Sequence, residues 1–303
     1  MYHPEDPNDR EQAAGWTDAE SFEFIELVNL DPEFSIDLGG VAFTEGIDYI
    51  LPSTLLGPSE RAVLAGNLAA FQSRYGREIQ VLGEYQNGSR NRLSNAGETL
   101  HLVDATGAPI TAFEWSDSTP WPEEADGQGY SLVALRPGID PPHAPHAWRS
   151  SADVRGNPAA SDSMSVEAWI EAFQVTGMDV DEDSDGWTAA WEYVAGSDPG
   201  DPDDVPVIET QYDEGSNRLA VDIRVRVGRD DLQPRPRQSV DLIEWTDRMR
   251  FHERRRVDEG MAWIRYVSEL PVSEAAAQYV RLDLDADGDP SLARHDREDA
   301  LSR

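Results

Sequence analysis

Residues Asp181 to Glu192 read DEDSDGWTAAWE, and no other stretch of the chain gathers as much metal-binding chemistry in so short a space. They fit the calcium-loop pattern D-x-[DN]-x-[DN]-G-x₅-E at every position. A hard cation of calcium's size takes about six to eight oxygens, and alternate residues of a tight turn aim their carboxylates at one centre. Asp181, Asp183 and Asp185 fall at loop positions 1, 3 and 5. Gly186 falls at position 6, where the backbone turns sharply, and Trp187 at position 7 offers its main-chain carbonyl. Glu192 at position 12 closes the shell with both oxygens, and Ala189 at position 9 leaves its place to water.

Two helices are needed to hold such a loop. Before it, Val166, Trp169, Ile170 and Phe173 recur at i, i+3, i+4 and i+7, with Ser163 or Ser165 as cap and Gly177 as stop. After it, Trp187, Ala190, Trp191 and Val194 repeat the spacing, and Gly196 ends it. Gly177 breaks the entering helix before Asp181, where an EF-hand helix runs straight into its loop. The longer stretch DVDEDSDGWTAAWEYVAGSDPGDPDD resembles the acidic repeats of bacterial secreted proteins related to thrombospondin type 3 repeats. The resemblance implies that Asp198 and Asp201 add ligands or form a second site. The alternative is a solvated acidic linker stiffened by Pro199 and Pro202.

Elsewhere the sequence offers little that reacts. Gly129-Tyr130-Ser131-Leu132 lacks the second glycine of a nucleophile elbow, and no phosphate-binding or dinucleotide fingerprint occurs. His143 and His146 form H-x-x-H in a proline-rich stretch, without the cysteine or helical spacing that would support zinc. Glu26 shares a strand face with Phe24 and Val28, which points to a structural ion pair, with Arg92 as the expected partner. No nucleophile–base pair or catalytic metal set emerges, so the chain is read as a non-enzyme.

The net charge of −34 excludes nucleic acid as a partner, because both surfaces would repel. All 25 basic residues are arginine and there is no cysteine, so no disulfide forms. A lysine-free, acidic chain fits a high-GC genome or a saline habitat, where dense carboxylates keep a protein soluble. No apolar run reaches the roughly 18 residues of a membrane span, and the start lacks a signal peptide's basic and apolar parts.

The expected architecture is mainly β. Short strands separated by turn signals fill residues 22–135: FEFIELV, SIDLGGVAF, Tyr49–Leu51, Arg61–Ala65, Ile79–Leu82, Thr99–Val103, Ile110–Glu114 and Tyr130–Leu135. Leu68–Tyr75 is the helix among them, and Asn87-Gly88 is one of the turns. This spacing predicts an antiparallel β-sandwich. FEFIELVNL, SIDLGGVAFTEG, ERAVLAGNLAAFQSRYG, NRLSNAGETLHLVDATGAPI and APHAWRSS resemble, in that order, the lamin tail domain of bacterial secreted proteins. The resemblance covers residues 1–158 and implies an immunoglobulin-like sandwich without catalytic residues. In that family the MYHP stretch follows an opening strand, so the resemblance also implies that this strand is missing and that Met1 is a fragment's start or a late one.

A connecting segment, 159–204, and a second small β-sandwich, 205–287, complete the reading, with a disordered tail at 288–303. Arg218–Val227 alternates cleanly, and Ser239–Trp245, Ala262–Val267 and Tyr279–Leu284 follow as strands. QSVDLIEWTD and QYVRLDL resemble β domains that end some bacterial secreted proteins. Arg248, Arg250, Arg254, Arg255 and Arg256 make a basic island suited to a sulfated or uronic polysaccharide or an acidic protein face. Ordinary cross-strand pairing with Glu253, Asp258 and Glu259 is the favoured reading of it. Asp283, Asp285, Asp287 and Gly288 imitate half a calcium loop, but Arg294 stands where the closing Glu belongs.

Together these features predict a non-catalytic, calcium-binding protein with a structural, adhesive or interaction role. Extracellular calcium and the family resemblance place it outside the cell or on its surface, with other extracellular proteins or polysaccharide as candidate partners. The alternative is an accessory segment of a larger exported enzyme, such as a hydrolase or a spore-coat-kinase-like protein.

Overall fold

The computed structural model describes residues 1–86, 91–213, 215–258, 260–275 and 277–285. It is mainly β, with 34% strand and 15% helix, arranged as several small sheets with no barrel among the described residues. The chain divides into two compact units, residues 1–162 and 163–303.

The first unit holds helices α1 (Asp9–Ala13) and α2 (Leu68–Tyr75) and eleven strands. These are β1 (Phe24–Val28), β2 (Ile36–Asp37), β3 (Ala42–Glu45), β4 (Tyr49–Ile50), β5 (Leu55–Leu56), β6 (Arg61–Ala65), β7 (Val81–Glu84), β8 (Thr99–Val103), β9 (Pro109–Glu114), β10 (Leu132–Ala134) and β11 (Trp148–Ser150). They form sheets ordered β1-β6-β7 and β4-β3-β8-β9, with β2–β5 and β10–β11 as separate pairs. β6 and β7 run parallel, which departs from the antiparallel expectation. The cause is α2: a helix between two strands returns the chain to its starting end.

The period-two geometry of β6 serves two cores at once. Ala62 and Leu64 face the larger one, with Phe43, Leu56, Leu100 and Trp115. Val63 and Ala65 face a smaller one, with Phe24 and Phe71 of α2. Each fully buried Leu or Phe stabilises the fold by roughly 1.5–3 kcal/mol. Two buried ion pairs tie α1 and the segment at Asp162 to this frame: Arg74 Nε to Glu11 at 2.8 Å and Arg149 Nη1 to Asp162 at 2.5 Å. Glu26 pairs with Arg61 at 2.7 Å and accepts the Ala159 N–H, whereas Arg92 pairs with Asp18 and Glu20. Register sets this partner, since Val28 lies directly opposite Arg61 and Glu26 opposite Val63, within reach of the arginine's length.

The second unit holds α3 (Val166–Phe173), α4 (Ala189–Ala195), β12 (Ile208–Asp213), β13 (Arg218–Arg226), β14 (Gln233–Ser239), β15 (Met249–Asp258), β16 (Met261–Pro271) and β17 (Tyr279–Asp285). One sheet runs β12-β13-β16-β15 and the other pairs β14 with β17, all antiparallel. Tyr266 Oη donates to Pro234 O at 2.7 Å and Ser268 Oγ to Gln238 at 2.9 Å, so the two sheets face each other. Val221, Ile223 and Ile264 fill the space between. The expected strand at Ser239–Trp245 is instead a loop, because β14 ends at Ser239. Ser239 Oγ and Asp241 Oδ1 then take the N–H groups of residues 241–244. Arg250, Arg254, Arg255 and Arg256 of the basic island fall on β15, an edge strand, where Arg250 pairs with Glu269 and Arg254 donates to Gln233; Arg248 precedes the strand, and Glu259 lies outside the described residues. Asp283 and Asp285 belong to β17, while the Asn87-Gly88 turn, Asp287, Gly288, Arg294 and the expected tail lie outside the described residues.

Candidate metal centre

The helices that carry the loop begin and end for local reasons. Ser165 Oγ accepts the Ala168 N–H at 3.2 Å and caps α3. Gln174, in the left-handed conformation, ends it three residues before Gly177. Val166 and Trp169 are buried, while Phe173 at the end of the expected stripe is exposed. α4 runs from Ala189, capped at its far end by Gly196 with φ 79°. Its buried residues are Ala189, Ala190, Glu192, Tyr193, Val194 and Ala195, so Ala190 and Val194 of the expected stripe are inside and Trp187 and Trp191 are not. Trp187 and Trp191 are half-buried and meet edge to face at 5.8 Å.

Two backbone hydrogen bonds staple the loop's ends. Ala189 N–H donates to Val180 O at 2.8 Å and Ala190 N–H to Met178 O at 2.9 Å. Glu182, between the candidate ligands, turns outward and accepts both N–H and Oγ1–H of Thr176. Inside, Asp181 takes the Ser184 N–H at 2.7 Å and the Gly186 N–H at 3.0 Å. Asp183 takes the Asp185 N–H at 3.1 Å, and Asp185 takes the Trp187 N–H at 2.6 Å. Gly186 has φ 104°, which a side chain rarely adopts, so glycine is required where the chain doubles back.

These bonds leave carboxylate oxygens facing one another. Asp181, Asp183 and Asp185 each offer an oxygen within 4.8 Å of the other two, and no other such group of acids or histidines occurs among the described residues. Asp183 Oδ2 is buried and has no hydrogen-bond partner among the described residues. Glu192 is 0% exposed, and neither of its carboxylate oxygens has a partner among the described residues. Burial pushes its carboxyl up to about 8, with further pressure from Asp183, Asp185, Asp181 and Asp198. Glu192 is therefore turned inward toward the aspartates, although it is not in the mutually close set of three.

Asp198 and Asp201 are placed differently. Both are exposed, and each accepts a backbone N–H from its own turn, from Gly200 at 3.0 Å and from Asp203 at 3.1 Å. Asp198 lies near enough to act on Glu192, and Asp201 stays in the proline-bounded turn. His143 and His146 are exposed and join no such group. Sequence reasoning overlooked Glu23, which is wholly buried and accepts from Tyr85 Oη, Gln86 Nε2 and Leu93 N. Burial pushes its carboxyl up to about 7. It precedes β1 and so escapes period-two counting, which drew attention to Glu26 instead. Compared with protein-family models, curated proteins and solved structures, the chain matches none.

Proposed function

We propose that residues 181–192 bind one calcium ion and that the protein is a non-catalytic, calcium-stabilised module working outside the cell or on its surface. The observation that carries the reading is Glu192: a fully buried carboxylate with no partner among the described residues, turned toward three aspartates whose oxygens lie within 4.8 Å of one another. A buried charge needs a counter-charge, and a hard cation is the partner that oxygens alone can satisfy. Asp181, Asp183, Asp185 and Glu192 are the side-chain ligands, with the Trp187 carbonyl and water completing the shell. Asp198 and Asp201 stay outside it. The first unit is read as the immunoglobulin-like, lamin-tail-like sandwich of a structural or adhesive protein.

Calcium titration of the whole chain tests the site, with calorimetry and tryptophan emission as readouts. We expect one ion, a dissociation constant on the order of 10⁻⁴ M, and a much weaker response to magnesium, which tolerates irregular cages poorly. Identical emission in calcium and in chelator, with no heat of binding, removes the metal centre and leaves an acidic turn.

A further inference from the structure

The loop between β14 and β15 holds aliphatic side chains in water on a braced frame. Gln238 and Thr246 close its neck with two backbone hydrogen bonds, at 2.9 and 2.8 Å. Inside, Ser239 Oγ accepts the Asp241 and Leu242 N–H groups at 3.2 and 2.9 Å. Asp241 Oδ1 accepts those of Ile243 and Glu244 at 2.8 and 2.9 Å. The N–H groups of residues 241–244 are thus satisfied within the loop. Val240, Leu242 and Ile243 nevertheless stand 50, 43 and 81% exposed. Leu242 has φ 62°, a left-handed backbone that a bulky side chain rarely adopts. A loop that spends its polar groups inward, holds a strained leucine and leaves three aliphatic side chains outside has the form of a contact surface. Its neck carries other chemistry. Half-buried Trp245 has the Arg281 guanidinium 5.0 Å from its ring centre. Two positions on, Asp247 receives Arg235 at 3.1 Å and Arg237 at 3.2 Å.

We propose that this loop attaches the second unit to a membrane surface of zwitterionic lipid, with Leu242 and Ile243 entering the boundary between headgroups and acyl chains. An indole and a set of arginines beside an aliphatic loop are the side chains that settle at headgroup level, where the ring takes the interface and guanidinium groups bond phosphate. Arg235 and Arg237 share one aspartate, and a guanidinium has five N–H donors, so each keeps some for phosphate. That collar favours a lipid surface over an apolar pocket on a protein. Net charge −34 opposes approach to anionic lipid, while the exposed Glu244 suits the ammonium of a phosphatidylcholine headgroup. The attachment is interfacial and does not depend on the calcium loop.

The test sediments the whole chain, in chelator, with sucrose-loaded phosphatidylcholine vesicles at millimolar lipid. Partition is expected with a constant on the order of 10³ to 10⁴ M⁻¹, at or below that of a single acyl chain. Ile243→Asp should weaken it at least tenfold and Ile243→Leu should leave it unchanged, with circular dichroism verifying folding. If Ile243→Asp does not fold, Leu242→Gly carries the comparison, because it relieves the left-handed backbone while removing the apolar side chain. No partition of the wild type into phosphatidylcholine, equal partition by the folded Ile243→Asp or Leu242→Gly variant, or binding only where phosphatidylglycerol replaces phosphatidylcholine would each overturn the proposal. So would a lipid-free dimer that Ile243→Asp dissociates, which would give the loop to a second copy of the chain.

Discussion

At the scale of single residues, the two buried glutamates show how burial assigns different work to the same side chain. Glu23 accepts three hydrogen bonds within a core, whereas Glu192 has no hydrogen bond among the described residues and faces other carboxylates. Glu192→Gln removes the charge and keeps the shape, so two opposite effects are expected. Calcium affinity should fall at least tenfold, a greater loss than Asp183→Asn causes, because a two-oxygen ligand becomes a one-oxygen amide, whereas Asn still offers the single oxygen that Asp183 supplies. In chelator the same variant should be as stable as the wild type or more so, since an amide repels no aspartate. Urea unfolding with and without calcium reads both effects, and unchanged calcium affinity counts against Glu192 as a ligand. Glu23 bears on pH instead. Its folded carboxyl titrates near 7, above the ordinary 4.5, so its contribution is fully present below about pH 4.5 and is lost as pH rises through 7. Relative to Glu23→Gln, the wild type should lose on the order of 3 kcal/mol between pH 4.5 and 8. Parallel pH profiles for the two proteins would show that Glu23 ionises normally in the fold.

At the scale of elements, legibility followed periodicity and failed where another constraint replaced it. β13 was readable because Val221, Ile223 and Val225 alternate toward one core. β14 was not, because Pro234 and Pro236 argue against a strand. Gln238, of the same parity, sends its N–H to Thr246 and away from β17, so both prolines lie where no ladder donor is needed. β15 was read as a basic island rather than a strand; as the edge of its sheet it can carry charge on both faces, and charge there deters pairing with other chains. The calcium-loop spacing was legible, and with it Asp181, Asp183 and Asp185. The buried face of α4 was not, since a helix that buries a carboxylate violates the apolar stripe used to find it. Gly196 fixes where that helix ends: a Cβ there would stand 2.8 Å from the Arg226 side chain, on a backbone with φ 79°. Gly196→Ala is expected to cost about 1 kcal/mol or more of second-unit stability. A thermal scan checks it, and an unchanged midpoint would mean that the α4 end is free to rearrange.

At the scale of the whole molecule, the question is what calcium stabilises. The sequence suggests a metal-stiffened connector at 159–204, but α3, the loop and α4 fall within the unit that begins at Ser163. α4 packs on β13, and Tyr193, next to Glu192, bonds the chain at Met164, so a filled loop braces that unit's own fold. An ion that binds only the folded state adds RT ln(1 + [L]/Kd), about 2.7 kcal/mol at a hundredfold excess over Kd. With two compact units, calorimetry should resolve two unfolding transitions. Calcium at about 10 mM, roughly a hundred times the expected constant, should raise only one of them, and that one should be the transition lowered by Gly196→Ala. The other should respond to pH through Glu23 and stay fixed when calcium is added. Movement of both transitions would mean that calcium stabilises the first unit as well. Movement of neither, with binding still detected, would make the loop a local clasp whose energy the sheets do not share.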